Sequence, residues 1–275
     1  MEITPAMVMQ LRNETGLPMM ECKQALIASQ GDKEKAIEWL RRKGLGQVTK
    51  RAARETTEGR IAVHVDPKGG RAAIVELLCE TAPVANTKDF IDLAAQIARH
   101  AVQLDAPTPE SVLDQPLLDD AGRKLQDYMH DAINRIRENI RIAHVGTLTG
   151  HIGHYLHHNA QVGVLVEMSA EAPDALKSDV CMQIAAMRPV CARREQVPAE
   201  LVETERRLAT EQAQGKPANI IEKIVEGKLN RWYAEMVLVE QPFVKDDKKT
   251  VGQVLREAVP NLTVNRFLRF EVGQE

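Results

Sequence analysis

Residues 72–80 read AAIVELLCE and residues 81–90 read TAPVANTKDF. The first stretch is an apolar run with the length of a buried strand, and the second places a capping threonine and a proline before a helical pattern. A strand that passes directly into a helix predicts a fold in which helices pack on a sheet. The junction Thr81-Ala82-Pro83-Val84 is expected to be a rigid, exposed tip suited to insertion into another protein.

The flanking residues complete a hairpin and add two helices. Residues 60–65 alternate with a period of two, and residues 67–70 (PKGG) predict a turn before the strand at 71–80. A helix is predicted over 84–104 and a second long helix over 118–138.

The order of hairpin and helix then recurs. Strands are predicted at 146–158 and 161–169 and a helix at 173–187, at a spacing of about 90 residues from the first set. The fold class is therefore α+β, with two related α+β subdomains. A helical pair over about 198–234, turning at Gly215-Lys216-Pro217, is expected to protrude as an antiparallel hairpin.

The amino-terminal residues predict a bundle of three short helices. Thr4 and Asp32 are predicted caps for the first and third helices, and Pro18 opens the second. The predicted helix ends are Gly16, Gly31 and Gly44. Because so small a core is marginal, the bundle is expected to be an appendage that grips a partner.

The carboxy-terminal residues predict a short helix near 251–257 and a last strand at 266–272. The predicted domain organisation is a three-helix amino-terminal module (1–45), a linker (46–58), a first α+β subdomain (59–140) and a second one that includes the helical hairpin (141–275).

Composition excludes several classes of partner. A net charge of −3 and a pI near 6.3 argue against direct nucleic-acid binding. Neither a signal or transit pattern nor an apolar run of membrane-spanning length is found, so no membrane contact is expected. The four cysteines form no Cys-x-x-Cys pair, which predicts reduced core thiols and a cytoplasmic protein. The basic segment 41–60 is interpreted as a solvated helix end and linker or as a patch for an acidic partner.

No motif for covalent chemistry is found. The phosphate-binding loop, the nucleophile elbow and the zinc-protease helix motif are all missing from the sequence, so no catalytic residue and no cofactor is predicted. An enzyme would need a new kind of site.

Five of the eight histidines lie close together: His144, His151, His154, His157 and His158. On one strand, His151 and His157 would share a face and His154 and His158 the other. Three interpretations are open: an exposed polar hairpin, a contact with a partner, or a metal site. A metal site needs three or four converging ligands with supporting groups, and no cysteine accompanies the histidines, so no metal is predicted.

Blocks of residues spread over essentially the whole chain resemble bacterial elongation factor Ts. They include Leu11-Arg12, Thr15-Gly16, Met19-Met20, Cys22-Lys23, Gly31-Asp32, Tyr155-Leu156-His157, Gly215-Lys216-Pro217, Glu240-Gln241-Pro242-Phe243-Val244 and Arg266-Phe267-Leu268-Arg269-Phe270. The resemblance implies an amino-terminal module of the ubiquitin-associated type. It also implies a guanine-nucleotide exchange factor, not an enzyme, that binds elongation factor Tu in its GDP-bound and nucleotide-free forms. A dimer or a 2:2 complex is compatible with it.

The resemblance also assigns contact residues. Arg12, Met19, Met20 and His157 match positions that touch elongation factor Tu. Arg12 either lies in solvent or forms an ion pair with the partner. Of Met19 and Met20, one is expected to be buried and the other to offer an apolar contact, since neighbours on a helix do not face one core.

The tip departs from the family pattern. Where the family has Thr-Asp-Phe-Val, with the Asp-Phe pair intruding near the Mg²⁺ and phosphate site of the GTPase, this chain has Ala82 and Pro83. One hypothesis is an exchange factor that relies on its other contacts. A second is a protein that binds or stabilises elongation factor Tu with weakened exchange. A third class, a ubiquitin-like or nascent-chain binding module, rests on the bundle alone.

Overall fold

The computed structural model describes residues 3–68, 70–215 and 217–274. In chain order the elements are α1 (Pro5–Thr15), α2 (Met19–Ala28), α3 (Lys33–Arg51), β1 (Glu58–Val65), β2 (Arg71–Cys79), α4 (Ala82–Ala85), α5 (Lys88–Ala101), α6 (Pro109–Leu113), β3 (Pro116–Leu117), β4 (Asp120–Lys124), α7 (Leu125–Ile136), β5 (Arg141–Thr149), β6 (His151–Leu156), β7 (Val162–Met168), α8 (Asp174–Met187), α9 (Ala199–Gln212), α10 (Ala218–Met236), β8 (Pro242–Phe243), β9 (Asp246–Thr250), α11 (Val251–Ala258) and β10 (Val264–Glu271). The predicted α+β fold class is confirmed.

The longer strands form two three-stranded sheets, ordered β1-β2-β5 and β10-β7-β6. In the second sheet β6 and β7 are antiparallel, with His151 opposite Met168 and Leu156 opposite Gly163. Both predicted hairpins therefore exist. The turn predicted before β2 includes Gly69, which lies outside the described residues.

Contacts divide the chain into two compact units. Unit 1 comprises Met1–Ala62, Val75–Gly146 and Glu271–Glu275, and unit 2 comprises Val63–Ile74 and Thr147–Phe270. The four-part domain organisation expected from the sequence stays a prediction.

Helices α1–α3 form the predicted amino-terminal bundle, within unit 1. The Thr4 hydroxyl accepts a hydrogen bond from the Met7 N–H, and the Asp32 carboxylate accepts one from Lys35, so both predicted caps are confirmed. Gly16 ends α1 with a φ of 68°. The bundle core consists of Val8, Leu11, Cys22, Ala25, Leu26, Ala36 and Leu40.

The predicted end of the third helix is wrong. Helix α3 continues through Gly44 to Arg51, into the stretch expected to be a linker. A Cβ at Gly44 would stand 2.1 Å from the Asn134 side-chain nitrogen on α7. Gly44 therefore permits close packing of two helices and does not end one.

The helix predicted over 118–138 is only partly present. Its first part is the β3–β4 hairpin, and α7 begins at Leu125. The hairpin turns at 118–119, and within β4 the Asp120 carboxylate accepts a hydrogen bond from the Gly122 N–H, where the register of the two strands is irregular. The buried His100 Nε2 accepts the Leu118 N–H and holds the loop of the hairpin against α5.

In unit 2, α8 covers the second sheet as predicted, and its Val180, Cys181 and Ile184 are buried with residues of β7. The helical pair α9 and α10 is also confirmed, with a small core of its own: Ala209, Val225 and Leu229. Lys216, in the predicted turn between them, lies outside the described residues. Helix α11 and strand β10 confirm the two last predicted elements.

The strand predicted over 146–158 is divided at Gly150, which has a φ of 110°. Strand β5 joins the first sheet before this glycine and β6 joins the second sheet after it. A positive φ of this size is accessible mainly to glycine, so the change of sheet depends on this residue.

Candidate functional site

The predicted tip lies where β2 passes into α4 and α5. Thr81, Ala82 and Pro83 are exposed, Val84 is half-buried and Ala85 is buried. The predicted helix over 84–104 is two helices, the short α4 and the longer α5, which begins at Lys88. The predicted exposure of the tip is confirmed, because the side chains of Ala82 and Pro83 face solvent.

The prediction that the Thr81 side chain caps the helix by a hydrogen bond is wrong. Thr81 occupies the position before α4, but its side chain accepts no bond from the helix. Its hydroxyl instead donates to Glu138 Oε1 at 2.6 Å. Thr87 supplies the cap for the following helix by accepting the Phe90 N–H.

The end of β2 is held by charged side chains. The backbone N–H groups of Glu80 and Thr81 both donate to Glu138 Oε2 at 3.0 Å. In return, Glu80 Oε1 accepts the Asn139 N–H at 2.6 Å and Arg54 Nη1 at 3.2 Å. Hydrogen bonds to ionised groups are shorter and stronger than neutral ones, so the tip starts from a fixed backbone.

The contact residues assigned to the bundle are exposed. Arg12 lies on the outer face of α1, and Met19 and Met20 retain 46% and 64% of their exposure at the start of α2. The expectation that one methionine is buried is wrong, because Cys22, Ala25 and Leu26 provide the inward face of the helix. Two adjacent exposed methionines present a flexible apolar surface.

One ion pair connects α2 with the chain next to the tip. Arg137 Nη2 donates to Glu21 Oε1 at 3.0 Å, and Arg137 immediately precedes Glu138. Within unit 1 the structure therefore links the helix that carries Met19 and Met20 to the segment that holds Thr81. His157 belongs to unit 2.

His157 follows β6 and is half-buried. Its Nδ1 lies 2.7 Å from the Tyr155 hydroxyl, and its ring centroid lies 4.3 Å from that of the exposed His158. The expected placement of both histidines on one continuous strand is wrong, since β6 ends at Leu156. His151 Nδ1 lies 2.9 Å from Glu171 Oε2. Within the described residues, no three His, Cys, Asp or Glu side chains are grouped to hold a metal ion.

A family model described as Elongation factor TS matches residues 80–274. Elongation factor Ts of Aquifex aeolicus (strain VF5) is 43% identical to this chain over 279 residues, which cover 97% of this chain and 96% of that protein. Elongation factor Ts of Methylococcus capsulatus is 42% identical, covering 100% and 93%. That of Prosthecochloris aestuarii is 39% identical and covers 99% of each. The chain belongs to the elongation factor Ts family. It is accordingly a translation elongation factor of protein biosynthesis.

Several residues around the tip of this elongation factor Ts family member were missed in the sequence. Glu138 lies 57 residues from Thr81, and Asn139 lies 85 residues from Arg54, whose carbonyl accepts its side-chain N–H at 2.7 Å. Because no periodicity relates residues at such separations, the sequence offers no signal for these pairs.

Two basic residues of the 41–60 segment serve the fold of the family member itself. Arg54 pairs with Glu80, and Arg60 Nη1 donates to the Ala85 carbonyl at 3.0 Å just after the tip. Burial lowers the pKa of Arg60 from its ordinary value. For the other basic residues of the segment, both interpretations stay open: a solvated helix end and linker, or a patch for an acidic partner.

The cysteines of this family member are free and buried, as predicted. Burial raises the pKa of Cys79, next to the tip, to about 11, so that it stays protonated near neutral pH. None of the helices in the described part of the chain is long and apolar enough to cross a membrane.

Proposed function

We propose that this elongation factor Ts family member binds elongation factor Tu, in its GDP-bound and nucleotide-free forms, and promotes GDP release by stabilising the nucleotide-free form. The observation that carries the proposal is the match to the family over nearly the whole length of its relatives. The exposed tip on a fixed backbone is consistent with it.

The proposed activity follows from thermodynamic linkage between the binding of this protein and the binding of GDP to elongation factor Tu. A protein that binds empty elongation factor Tu more tightly than the GDP-loaded form must weaken GDP binding by the same factor. A thousandfold effect requires about 4 kcal/mol of differential contact. The reaction makes and breaks no covalent bond, so the chain is not an enzyme in this proposal and needs no cofactor.

We assign the contacts to Arg12, Met19 and Met20 on the bundle, to His157, and to the tip. The exposed methionines supply apolar area, and Arg12 supplies a charge for an acidic side chain of the partner. The tip region Thr81–Val84 is assigned to the neighbourhood of the Mg²⁺ and phosphate site of the GTPase. Its Ala82 and Pro83 bring neither a carboxylate nor an aromatic wedge.

The second candidate function follows from that substitution. A protein that keeps the other contacts but lacks the wedge would bind and stabilise elongation factor Tu while accelerating GDP release only weakly. The chemistry of the two exposed tip residues favours this candidate, because Ala82 and Pro83 offer neither a carboxylate nor an aromatic ring to the partner.

A fluorescent-GDP release assay with the cognate elongation factor Tu separates the two. In catalytic amounts, one molecule of an exchange factor speeds the release of GDP from many molecules of elongation factor Tu in turn. A stable complex without acceleration would contradict the first candidate and support the second. Equal affinity for the GDP-loaded and nucleotide-free forms would refute exchange activity, because no coupling free energy would remain.

The proposal extends to the surroundings of the protein. We infer that it acts in the cytoplasm, without direct contact to nucleic acid or to a membrane, in agreement with its charge and its reduced cysteines. A dimer or a 2:2 complex with elongation factor Tu belongs to the proposal as well. Mass measurement of the purified complex by light scattering distinguishes a 1:1 from a 2:2 assembly.

A further inference from the structure

The segment Arg137–Asn139, here named the anchor segment, lies between the end of α7 and the start of β5. It begins with Arg137 in the left-handed conformation, with a φ of 69°. This conformation turns the chain sharply after the helix, and it costs a non-glycine residue about 1 kcal/mol or more. The neighbouring interactions must therefore compensate for it.

Glu138 makes the central interactions of the anchor segment. Its two carboxylate oxygens receive three hydrogen bonds, from the Glu80 N–H, the Thr81 N–H and the Thr81 hydroxyl, at 3.0, 3.0 and 2.6 Å. These are the last backbone donors before the exposed Ala82. A half-buried carboxylate with three donors holds the root of the tip in one geometry.

Asn139 makes the reciprocal contact. Its backbone N–H donates to Glu80 Oε1 at 2.6 Å, and its buried side chain donates to the Arg54 carbonyl at 2.7 Å. The end of β2 thus offers the Glu80 carboxylate to the backbone of the anchor segment, and the anchor segment offers the Glu138 carboxylate to the backbone at the end of β2. Arg137 adds the ion pair to Glu21 on α2.

We propose that Glu138 is a positioning residue for nucleotide exchange: it fixes the tip backbone before the partner binds. This rests on the proposed function. Groups that are held in their bound geometry lose little conformational entropy on binding. More of the favourable free energy of the contacts therefore remains in the free energy of binding.

The consequence is a split between two kinetic parameters. The bundle can still dock when the tip root is loose, so the concentration of factor that gives half-maximal release is unchanged. The tip must then be ordered in the step that expels GDP, so the maximal release rate falls. Glu138→Ala lowers that rate about fivefold, which corresponds to ~1 kcal/mol.

Two further variants test the hydrogen-bond geometry. Glu138→Gln keeps an oxygen for the two N–H groups and an amide that can donate to Thr81, so it retains most of the rate that Glu138→Ala loses. Thr81→Val removes the hydroxyl at nearly constant volume and lowers the maximal rate. Circular dichroism and thermal unfolding confirm that each variant folds.

Amide hydrogen exchange supplies a readout on the tip itself. In Glu138→Ala the Glu80 and Thr81 amides lose protection, while amides in the α8 helix do not change. The exchange assay then separates the outcomes. If the wild-type chain does not accelerate GDP release, the proposed function fails and the positioning role fails with it. If the wild type accelerates release and Glu138→Ala equals it, or Glu138→Gln is as slow as Glu138→Ala, only the positioning role is overturned.

Discussion

Gly59 lies against the backbone of Leu77, so close that a Cβ on Gly59 would stand 2.2 Å from the Leu77 carbonyl oxygen. The same Cβ would be 2.9 Å from the Leu78 Cα. Backbone atoms in a sheet cannot move aside as a side-chain end can. The start of β1 therefore packs on the end of β2, which leads into the tip, only because Gly59 has no side chain.

Gly59→Ala is expected to lower the free energy of unfolding by about 2–3 kcal/mol, the cost of overpacking a filled site. Urea denaturation measures the change. Gly46→Ala is the matched control, because a Cβ there meets nothing within 4 Å and the residue lies inside α3. That control should raise stability by about 0.5–1 kcal/mol, since alanine favours helix more than glycine does. Equal effects of the two changes would contradict the close approach.

Restoration of the family tip is expected to increase exchange. Ala82→Asp with Pro83→Phe should raise the rate of GDP release about tenfold, because burial of an aromatic side chain at the partner provides on the order of 1–2 kcal/mol. Both positions are exposed in the free protein, so its stability should barely change. The fluorescent-GDP assay measures the rate, and an unchanged rate would show that the tip has no part in exchange here.

Gln183→Leu is expected to destabilise unit 2 by about 2–4 kcal/mol through buried polar groups left without partners. Gln183 is fully buried; its oxygen accepts the Val244 N–H at 2.8 Å and its nitrogen donates to Gln241 Oε1 at 3.1 Å. Chemical denaturation gives the free energy. Gln103→Leu, at an exposed position, is the control and should change it by less than about 0.5 kcal/mol.

Glu171 gives a stability contribution that depends on pH. The hydrogen bond from Lys177, followed by that from His151, lowers the pKa of its carboxyl to about 2. Because the pKa in the folded state lies below that in the unfolded state, the interaction stabilises the protein above about pH 4.5 and is lost as the pH falls toward 2.

Glu171→Gln should accordingly lower the thermal midpoint slightly at pH 7, and the effect should shrink as the pH falls from about 4.5 through about 2, where the carboxyl becomes protonated. The difference stays small because the carboxylate is exposed and screened by solvent. Thermal scans between pH 7 and pH 2 measure it, with the exposed Glu203→Gln on α9 as the control. A difference that is as large at pH 2 as at pH 7 would mean that the effect is not electrostatic.

The sequence predicted elements well wherever a local rule applies. Thr4 and Asp32 cap their helices as expected, the helical pair α9 and α10 is present, and β10 ends the described fold. The resemblance located the family, and the comparisons confirm it. The contact roles of Arg12, Met19, Met20 and His157 stay predictions.

The errors fall where a glycine or a turn has two possible uses. Gly44 is a predicted helix end but serves close packing against Asn134, and Gly150 interrupts the strand predicted over 146–158. The turn between β3 and β4 lies inside the stretch predicted as a helix over 118–138. In each case the local sequence permits both structures, and packing against a distant element selects one of them.

By itself, the sequence determined the helix caps, the strand alternation, the exposed place of Ala82 and Pro83, and the family. These depend on residues within a few positions of one another, where spacing fixes geometry. Only the tertiary structure decided that the Thr81 hydroxyl donates to Glu138, 57 residues away, and accepts no N–H of the helix that follows it. The physical reason is that the fold brings a carboxylate to the end of β2, and its charge-assisted hydrogen bonds with the Thr81 hydroxyl and N–H set the orientation of this residue.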